Sequence, residues 1–315
     1  MRNKIFIYIN IIIAIFLFAN CTENYNESAE SQIKKNINGD NKHLNVTILL
    51  DLSDRISSNK NPTQSYKDIE FILNVIDVFK KVLEAKNVGN SKDRIKLLYY
   101  PTLDKLNSEL YFKISSLTDS LNFKFDEMDL TKRKNVFHSI KKTYEENLKN
   151  LYSIFSNLPE NYYQGSDLFN YFKHRVTNDC IDGRKNYVNL LIILTDGYLY
   201  SYDNKMNINN RYSYIGPLSN HLTKFRNMIN WETVFETEDY GFIRLNNDLS
   251  NIRIIAAEFN PVKDHPIDFD IMKKYWSKWF EEQQINKSNY LILRTDHISQ
   301  NKDVVNNFIK KIVFE

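Results

Sequence analysis

The sequence predicts an α/β fold of three layers, with a mostly parallel central sheet flanked by helices. Two apolar runs of strand length, residues 46–50 and 186–195, show no alternation of polar and apolar side chains, which is typical of strands buried on both faces. Residues 66–85 instead place apolar side chains at three- and four-residue spacings, which indicates a helix lying on a sheet. Strands and helices that alternate in this way predict crossover units and a parallel sheet.

Composition limits the classes of function. The chain has 315 residues, of which 42% are hydrophobic, and this is enough material for a sizeable core. Its formal net charge of +3 comes from nearly balanced basic and acidic residues, so we do not expect nucleic acid as a partner. None of the six histidines has a second histidine at zinc-ligand spacing, which argues against a zinc site.

The first 21 residues resemble an export signal. Arg2 and Lys4 precede an apolar stretch, residues 5–18, which is shorter than the roughly 20 residues that span a bilayer. Residues 18–21, Phe-Ala-Asn-Cys, resemble the lipobox of bacterial lipoproteins, although Asn20 stands where a small residue is usual. This resemblance implies lipid attachment at Cys21 and a place in the bacterial cell envelope, on the periplasmic or cell-surface side. An uncleaved signal anchor and a Cys21–Cys180 disulfide are the alternatives.

A polar linker and one domain follow the signal. Residues 22–44 contain few large aliphatic side chains and predict a flexible tether. The domain is predicted over residues 45–315, with an insertion at about 103–160. Within the insertion, weak alternation at residues 109–115 and 121–125 predicts short strands, and the Lys-, Glu- and Leu-rich residues 132–155 predict a long exposed helix.

The remaining elements follow from the same patterns. Residues 94–100, 252–259 and 290–294 predict strands, and Pro101 ends the first of these. Helices are predicted at residues 217–228, 269–282 and 304–313. A loop containing Gly165, Ser166 and Asp167 leads into a further helix, which Ser166 or Asp167 is expected to cap.

Polar side chains collect where the predicted strands end. Asp51 and Ser53 follow the first strand, Asp196 follows the strand at 186–195, and Ser166 lies in the loop before a helix. Ligands of open α/β sheets bind beyond the carboxyl ends of the strands. The pattern is similar to the metal-ion-dependent adhesion site of von Willebrand factor A (vWA) domains, Asp-x-Ser-x-Ser with a middle Thr and a later Asp. The likeness covers about residues 45–315.

The resemblance assigns a role to each of these residues. Asp51 matches the first aspartate, Ser53 the first serine, Ser166 the middle threonine and Asp196 the last aspartate, whereas Arg55 replaces the second serine. The implied cofactor is Mg²⁺ or Mn²⁺, since these hard cations take oxygen ligands. In the family one coordination position is left for an acidic group of a protein partner.

Arg55 leaves two alternatives open. If it points outward, Ser57 or water can supply the missing ligand; if it points inward, its charge can replace the cation by pairing with Asp51 and Asp196. Asp54 is interpreted as a solvated partner of Arg55. A simpler reading of the whole cluster is that its Asp and Ser side chains only cap helices.

These observations predict a lipid-anchored vWA-like binding module that is not an enzyme. The tyrosines after Asp196 are candidate contacts to the partner, because tyrosine is enriched in recognition surfaces: Tyr198, Tyr200 and Tyr202. One alternative is a metal-free scaffold that associates through residues 132–155. Another is a Mg²⁺-dependent phosphotransferase or hydrolase with an aspartyl nucleophile, although Ser53 occupies the position of its second acid.

Overall fold

A six-stranded sheet forms the centre of the protein. The computed structural model describes residues 42–57, 61–100, 108–159, 165–201, 205–261, 265–295 and 298–314. The six strands are β1 (His43–Asp51), β2 (Arg94–Tyr100), β3 (Phe123–Lys124), β5 (Tyr187–Leu194), β10 (Ile252–Phe259) and β11 (Tyr290–Arg294). They lie in the order β11-β10-β5-β1-β2-β3. The five longer strands of this sheet are parallel, and the short edge strand β3 runs antiparallel to β2. This architecture confirms the predicted fold class.

Five shorter strands make two small sheets outside the centre. The first joins β4 (Gly165–Ser166) to β6 (Tyr200–Ser201), and the second has the order β7-β8-β9. The strands of the second are β7 (Asn207–Ile208), β8 (Arg211–Tyr212) and β9 (Gly241–Phe242). The β4–β6 pair matters for the site, because it holds the loop before Leu168 against the loop that leaves β5.

Helices cover both faces of the sheet. They are α1 (Gln64–Ala85), α2 (Ser108–Asp119), α3 (Leu130–Phe155), α4 (Leu168–His174), α5 (Val176–Cys180), α6 (Asn220–Thr223), α7 (Trp231–Thr237), α8 (Asp268–Glu282) and α9 (Ile298–Phe314). One core cluster unites α4, α5 and α8 with strand residues such as Leu191 and Ile193. The buried residues of α1 are not part of this cluster, and alternate strand residues point to opposite faces, so α1 covers the other face.

The described residues of the predicted insertion pack beside β2 and α1. Helix α2 contacts β2, and α3 packs against both α1 and α2, which confirms the long helix predicted there. The strand predicted at residues 109–115 is wrong, because this segment lies within the helix α2. Its two buried residues, Ile114 and Thr118, are four apart, a helical spacing that the weak alternation concealed.

The helix predicted at residues 217–228 is shorter than expected. Only Asn220–Thr223 is α-helical, and Lys224–Asn227 continues as a 3₁₀ turn. A 3₁₀ segment is a common way for a short helix to end, and here it leaves Arg226 bonded to Asp268 of α8 through Nε at 2.8 Å. The irregular turn therefore serves a tertiary contact that the local sequence does not reveal.

The lipid-attachment prediction concerns residues outside the described part of the chain. Residues 1–41, which include Cys21, the predicted signal and most of the predicted linker, are not described. Within the described ranges, no helix combines the length and the apolar character that crossing a bilayer requires. Cys180 is buried and free.

Candidate functional site

The site begins where β1 and β5 end side by side. The two strands pair in parallel from His43 with Tyr187 to Leu50 with Leu194. Their next polar residues, Asp51 on one side and Thr195 with Asp196 on the other, are thereby brought to the same edge of the sheet. Strands with this uniform apolar content are covered on both faces, and the first carboxylate of each segment, Asp51 or Asp196, therefore lies at the end of its strand.

Asp51 is enclosed and held by neutral donors. Its side chain is 0% exposed. Its Oδ1 accepts from the backbone N–H of Ser53 at 2.9 Å, and its Oδ2 accepts from Thr195 Oγ1 at 2.8 Å. Burial raises the pKa of Asp51, and the nearby charge of Arg55 opposes that rise. The carboxylate thus has fixed geometry without a cation in hydrogen-bond contact among the described residues.

Asp196 is the second carboxylate. Its Oδ1 accepts from the N–H of Tyr198 at 3.0 Å. The residue keeps part of its surface exposed, yet the carboxyl group lies deep enough that burial, followed by the negative charge of Asp51, raises its pKa to about 7. Two buried carboxylates that repel each other in this way would be stabilised by a positive charge placed between them.

The Ser53 hydroxyl is the third oxygen of the cluster. Ser53 is 6% exposed, and its Oγ has no hydrogen-bond partner although it is buried. Ser53 precedes the 3₁₀ turn Asp54–Ile56, but its side chain does not cap that turn. The hydroxyl lies near Asp51 and helps to lower the pKa of that carboxyl, although the contact does not reach the geometry of a hydrogen bond. A buried hydroxyl without a well-formed hydrogen bond is costly, so this oxygen is available to a ligand.

Ser166 approaches the cluster from a separate loop. In the β4–β6 pair its backbone lies opposite Tyr200, the fourth residue after Asp196. Its side chain is not among those described. The helix cap predicted here is Asp167, whose side chain accepts from Asn170 N, and Ser166 is not the capping residue. The structure therefore brings the Ser166 backbone to the site side of the sheet.

Two glycines shape the loops around the site. Gly197 has φ +92°, and a Cβ there would lie 2.5 Å from Phe259 Cδ1. Gly165 has φ +91°, and a Cβ there would lie 2.0 Å from the Tyr200 carbonyl oxygen. Any other residue would be strained in this left-handed conformation and would also collide with its neighbours. The close approach of both loops thus requires glycine.

Arg55 matches neither of its predicted orientations. It is buried, and its guanidinium makes two hydrogen bonds to Asp68 of α1, at 2.9 Å from Nη1 and 2.7 Å from Nη2. It therefore points into the fold without taking Asp51 or Asp196 as its hydrogen-bond partner. Asp54 is exposed, and Ser57 is buried at the end of the 3₁₀ turn.

The candidate partner contacts differ in exposure. Tyr198 is 5% exposed and belongs to the core cluster, so little of its side chain can reach a partner. Tyr200 is partly exposed, and its hydroxyl accepts from Lys205 Nζ at 3.0 Å. Tyr202 lies outside the described residues.

Thr195 and the partners of Arg55 were not predicted from the sequence. Thr195 links the two strand ends, since it donates to Asp51 and its Oγ1 accepts from Gly197 N at 3.1 Å. Its position directly before Asp196 was the available signal. Asp68 also left a signal, because it occupies a position on the buried stripe of α1, four residues before Ile72.

Comparisons with known proteins show limited likeness. No protein-family model matches this sequence, and no curated protein matches it either. One similar structure is proximal thread matrix protein 1 from the mussel byssus, with a zinc-occupied MIDAS motif: identity is 11%, coverage is 85% of this chain and 48% of that chain, and the TM-score is 0.35. Another is the pilus adhesin SpaC from Lactobacillus rhamnosus GG, with 10% identity, 86% and 31% coverage, and a TM-score of 0.37.

These likenesses leave the site to be judged on its own chemistry. This chain spans about half the length of the first protein and under a third of the second. Among the described residues, no three His, Cys, Asp or Glu side chains are grouped to hold a metal ion. The cluster at Asp51, Ser53 and Asp196 is of another kind, two carboxylates with a hydroxyl, and this oxygen set fits a hard divalent cation that keeps several waters.

Proposed function

We propose that this chain is a lipid-anchored protein of the bacterial cell envelope whose vWA-like domain binds a protein partner through a divalent cation. Asp51, Ser53 and Asp196 would hold Mg²⁺ or Mn²⁺, with Ser166 contributing from the loop before α4. The lipid would be attached at Cys21. When bound, the cation would supply a positive centre that accepts a carboxylate of the partner.

The proposal rests on one observation. The carboxylates of Asp51 and Asp196 lie at adjacent strand ends and repel each other, and neither is hydrogen-bonded to a cationic side chain among the described residues. Asp51 is completely enclosed, and Asp196 feels both burial and the Asp51 charge. The unpartnered Ser53 Oγ lies beside them. A divalent cation relieves the repulsion and satisfies the hydroxyl at once.

The chain's own residues prepare the site before any cation arrives. Ser53 N and Thr195 Oγ1 fix the two oxygens of Asp51, while Tyr198 N fixes one oxygen of Asp196. Because these donors are neutral, they orient the carboxylates without cancelling their charge. Preorganised ligands of this kind lose little conformational entropy on binding.

Thermal unfolding tests the cation site. Purified protein is unfolded with Mg²⁺, with Mn²⁺ or with chelator at equal ionic strength. A cation at about 100 times its dissociation constant should add about 2.7 kcal/mol to the free energy of unfolding, a rise in Tm of roughly 5 to 10 °C. Asp51→Asn should abolish the rise.

Asp270→Asn is the matched control, because Asp270 is an exposed carboxylate on α8 and its loss should leave the rise intact. Equal Tm values with cation and chelator in the wild-type protein would refute the cation site. In that case the metal-free scaffold would be the better account of the domain.

A further inference from the structure

The position that departs from the vWA pattern is occupied by an arginine whose two terminal nitrogens are paired with Asp68, while its buried Nε has no hydrogen-bond partner among the described residues. Arg55 is 4% exposed, and in its ion pair with Asp68 the two side chains are 3% and 0% exposed. Both terminal nitrogens bond to Asp68, one to each carboxylate oxygen. Such a two-point contact fixes the plane of the guanidinium as well as its position.

Asp68 is itself held from two further directions. Its Oδ2 accepts from Tyr152 of α3 at 2.5 Å, and its Oδ1 accepts from Gln64 Nε2 at 2.8 Å. With the two bonds from Arg55, each carboxylate oxygen accepts twice. Gln64 also reaches Glu258 at 3.3 Å, and Glu258 accepts from Thr295 at 2.6 Å. The arginine is therefore fastened to α1, α3 and the ends of β10 and β11.

The same arginine stands within electrostatic reach of the candidate cation site. It lies in the 3₁₀ turn that starts three residues after Asp51, and its charge acts on both Asp51 and Asp196, lowering the pKa of each against the effect of burial. Those two carboxylates have no cationic partner of their own in the described chain. Without Asp68, the desolvated guanidinium would be left to the other acids on which its charge acts, which are Asp51, Asp196 and Glu258.

We propose that Asp68, supported by Gln64 and Tyr152, is a positioning residue that holds Arg55 away from Asp51 and Asp196 and so keeps the cation site open. This inference rests on the proposed function, since it concerns the same site. It explains how the site tolerates an arginine where the vWA pattern has a serine: Asp68 on α1 takes both terminal nitrogens of the guanidinium, which then form no hydrogen bond to Asp51 or Asp196.

The Mn²⁺ affinity of four proteins tests this clamp, by which we mean the hold of Asp68 on Arg55. Isothermal calorimetry with MnCl₂ at fixed ionic strength is applied to wild-type protein, Asp68→Asn, Asp68→Asn/Arg55→Met and Asp93→Asn. Asp68→Asn should weaken Mn²⁺ binding at least tenfold, because the released arginine pairs with Asp51 and Asp196. The double variant removes that charge with a side chain of similar length and should return to within about threefold of wild type.

Asp93→Asn controls for destabilisation. Asp93 forms another buried ion pair, with Lys86 at 2.6 Å and side chains that are 0% and 4% exposed, but it precedes β2 at the opposite edge of the sheet. It should lower Tm about as much as Asp68→Asn while leaving Mn²⁺ affinity unchanged. A loss of affinity in Asp93→Asn equal to that in Asp68→Asn would overturn the proposal.

Three further outcomes of the calorimetry would overturn the clamp. A folded Asp68→Asn variant that binds Mn²⁺ like wild type overturns the clamp while the cation site stands, and so does a double variant that stays as weak as Asp68→Asn. Wild-type protein that binds no Mn²⁺ overturns the proposed function and the clamp together. If Asp68→Asn fails to fold, Tyr152→Phe replaces it, with an expected loss of about threefold that Arg55→Met reverses; unchanged affinity there overturns the clamp.

Discussion

Buried carboxylates at the two ends of the parallel strands differ in whether they have a cationic partner. At the amino ends of the strands, Asp93 is 0% exposed and accepts from Lys86 Nζ at 2.6 Å, Ser91 Oγ at 2.5 Å and Leu44 N at 2.5 Å. At the carboxyl ends, Asp51 is equally enclosed but accepts only from an amide and a hydroxyl. Asp93 and Asp51 are thus equally buried, but Asp93 has a cationic partner in hydrogen-bond contact and Asp51 has none among the described residues.

Two more carboxylates at the amino edge follow the same rule. Asp126 and Asp182 pair with Arg94 and Arg184. Despite burial, Arg94 lowers the pKa of Asp126, and the hydrogen bond from Arg184 lowers the pKa of Asp182. At the carboxyl edge the pKa values of Asp51 and Asp196 are raised. These acids at the amino ends are therefore neutralised by cationic partners, whereas Asp51 and Asp196 at the carboxyl ends have no such hydrogen-bonded partner among the described residues.

Replacing Asp93 should have the largest effect on the free energy of unfolding. Asp93→Asn leaves the buried Lys86 ammonium without its counter-ion, and breaking a buried pair in this way costs about 3–5 kcal/mol. For a domain of this size, Tm should fall by roughly 10 °C or more. Urea unfolding of the two proteins in chelator measures the loss. A change below about 1 kcal/mol would show that the amino-edge pair is not what stabilises that end of the sheet.

Lowering the pH should change the contributions of His221 and Asp196 to the free energy of unfolding in opposite directions. His221 is 4% exposed and stacks on Tyr212 at 3.8 Å, and burial lowers its pKa to about 4. Its folded pKa lies below the unfolded value of about 6.5, so the unfolded chain gains the proton first. Stability should therefore fall by up to about 3 kcal/mol as pH drops from 6.5 to 4.

Asp196 responds with the opposite sign, because its pKa is raised to about 7 and protonation favours the folded state as pH falls below that value. Urea unfolding of His221→Phe between pH 7 and 5, in chelator, should show a smaller loss of stability than the wild-type protein shows. Phenylalanine retains the stacking on Tyr212. Identical pH slopes in the two proteins would contradict the assignment of the acid sensitivity to His221.

The smallest expected effects differ in sign between the edges. At pH 8 in chelator, Asp196→Asn removes one of two repelling charges and should raise the free energy of unfolding by about 2 kcal/mol. Asp182→Asn removes a partner of Arg184, which is partly exposed, and should lower it by about 1 kcal/mol or less. Chemical denaturation at matched protein concentration measures both. If both substitutions lowered the free energy of unfolding by a similar amount, the proposed difference between the amino and carboxyl ends of the strands would be wrong.

The sequence predicted the sheet well because its central strands β1, β5 and β10 are buried almost throughout and are therefore mostly apolar. The strands at residues 94–100, 252–259 and 290–294 agree with β2, β10 and β11, although β2 and β11 are only partly buried. The segment at 109–115 failed because half-exposed helices and edge strands have similar composition. Aromatic residues such as Phe112 remain 69% exposed there, so the apolar pattern did not report a buried face.

The candidate site was predictable in position but not in pairing. Asp51 and Asp196 end parallel strands, and the edge of the sheet brings them together whatever the loops do. The partner of Arg55 could not be chosen in advance, because Asp68 is 13 residues away and Tyr152 is 84 residues from Asp68. Which of several acids receives a guanidinium depends on the packing of α1 against α3, and that is a tertiary property.

The two left-handed glycines have a consequence for how relatives of this chain could be found. The sequence contains only 7 glycines, and the two described ones with positive φ, Gly165 and Gly197, both stand in loops beside the candidate site. In a library of all single substitutions, these positions should tolerate the fewest replacements, fewer even than Asp51. Relatives of this chain that keep these two loops are therefore expected to keep both glycines, whatever acidic residues they carry.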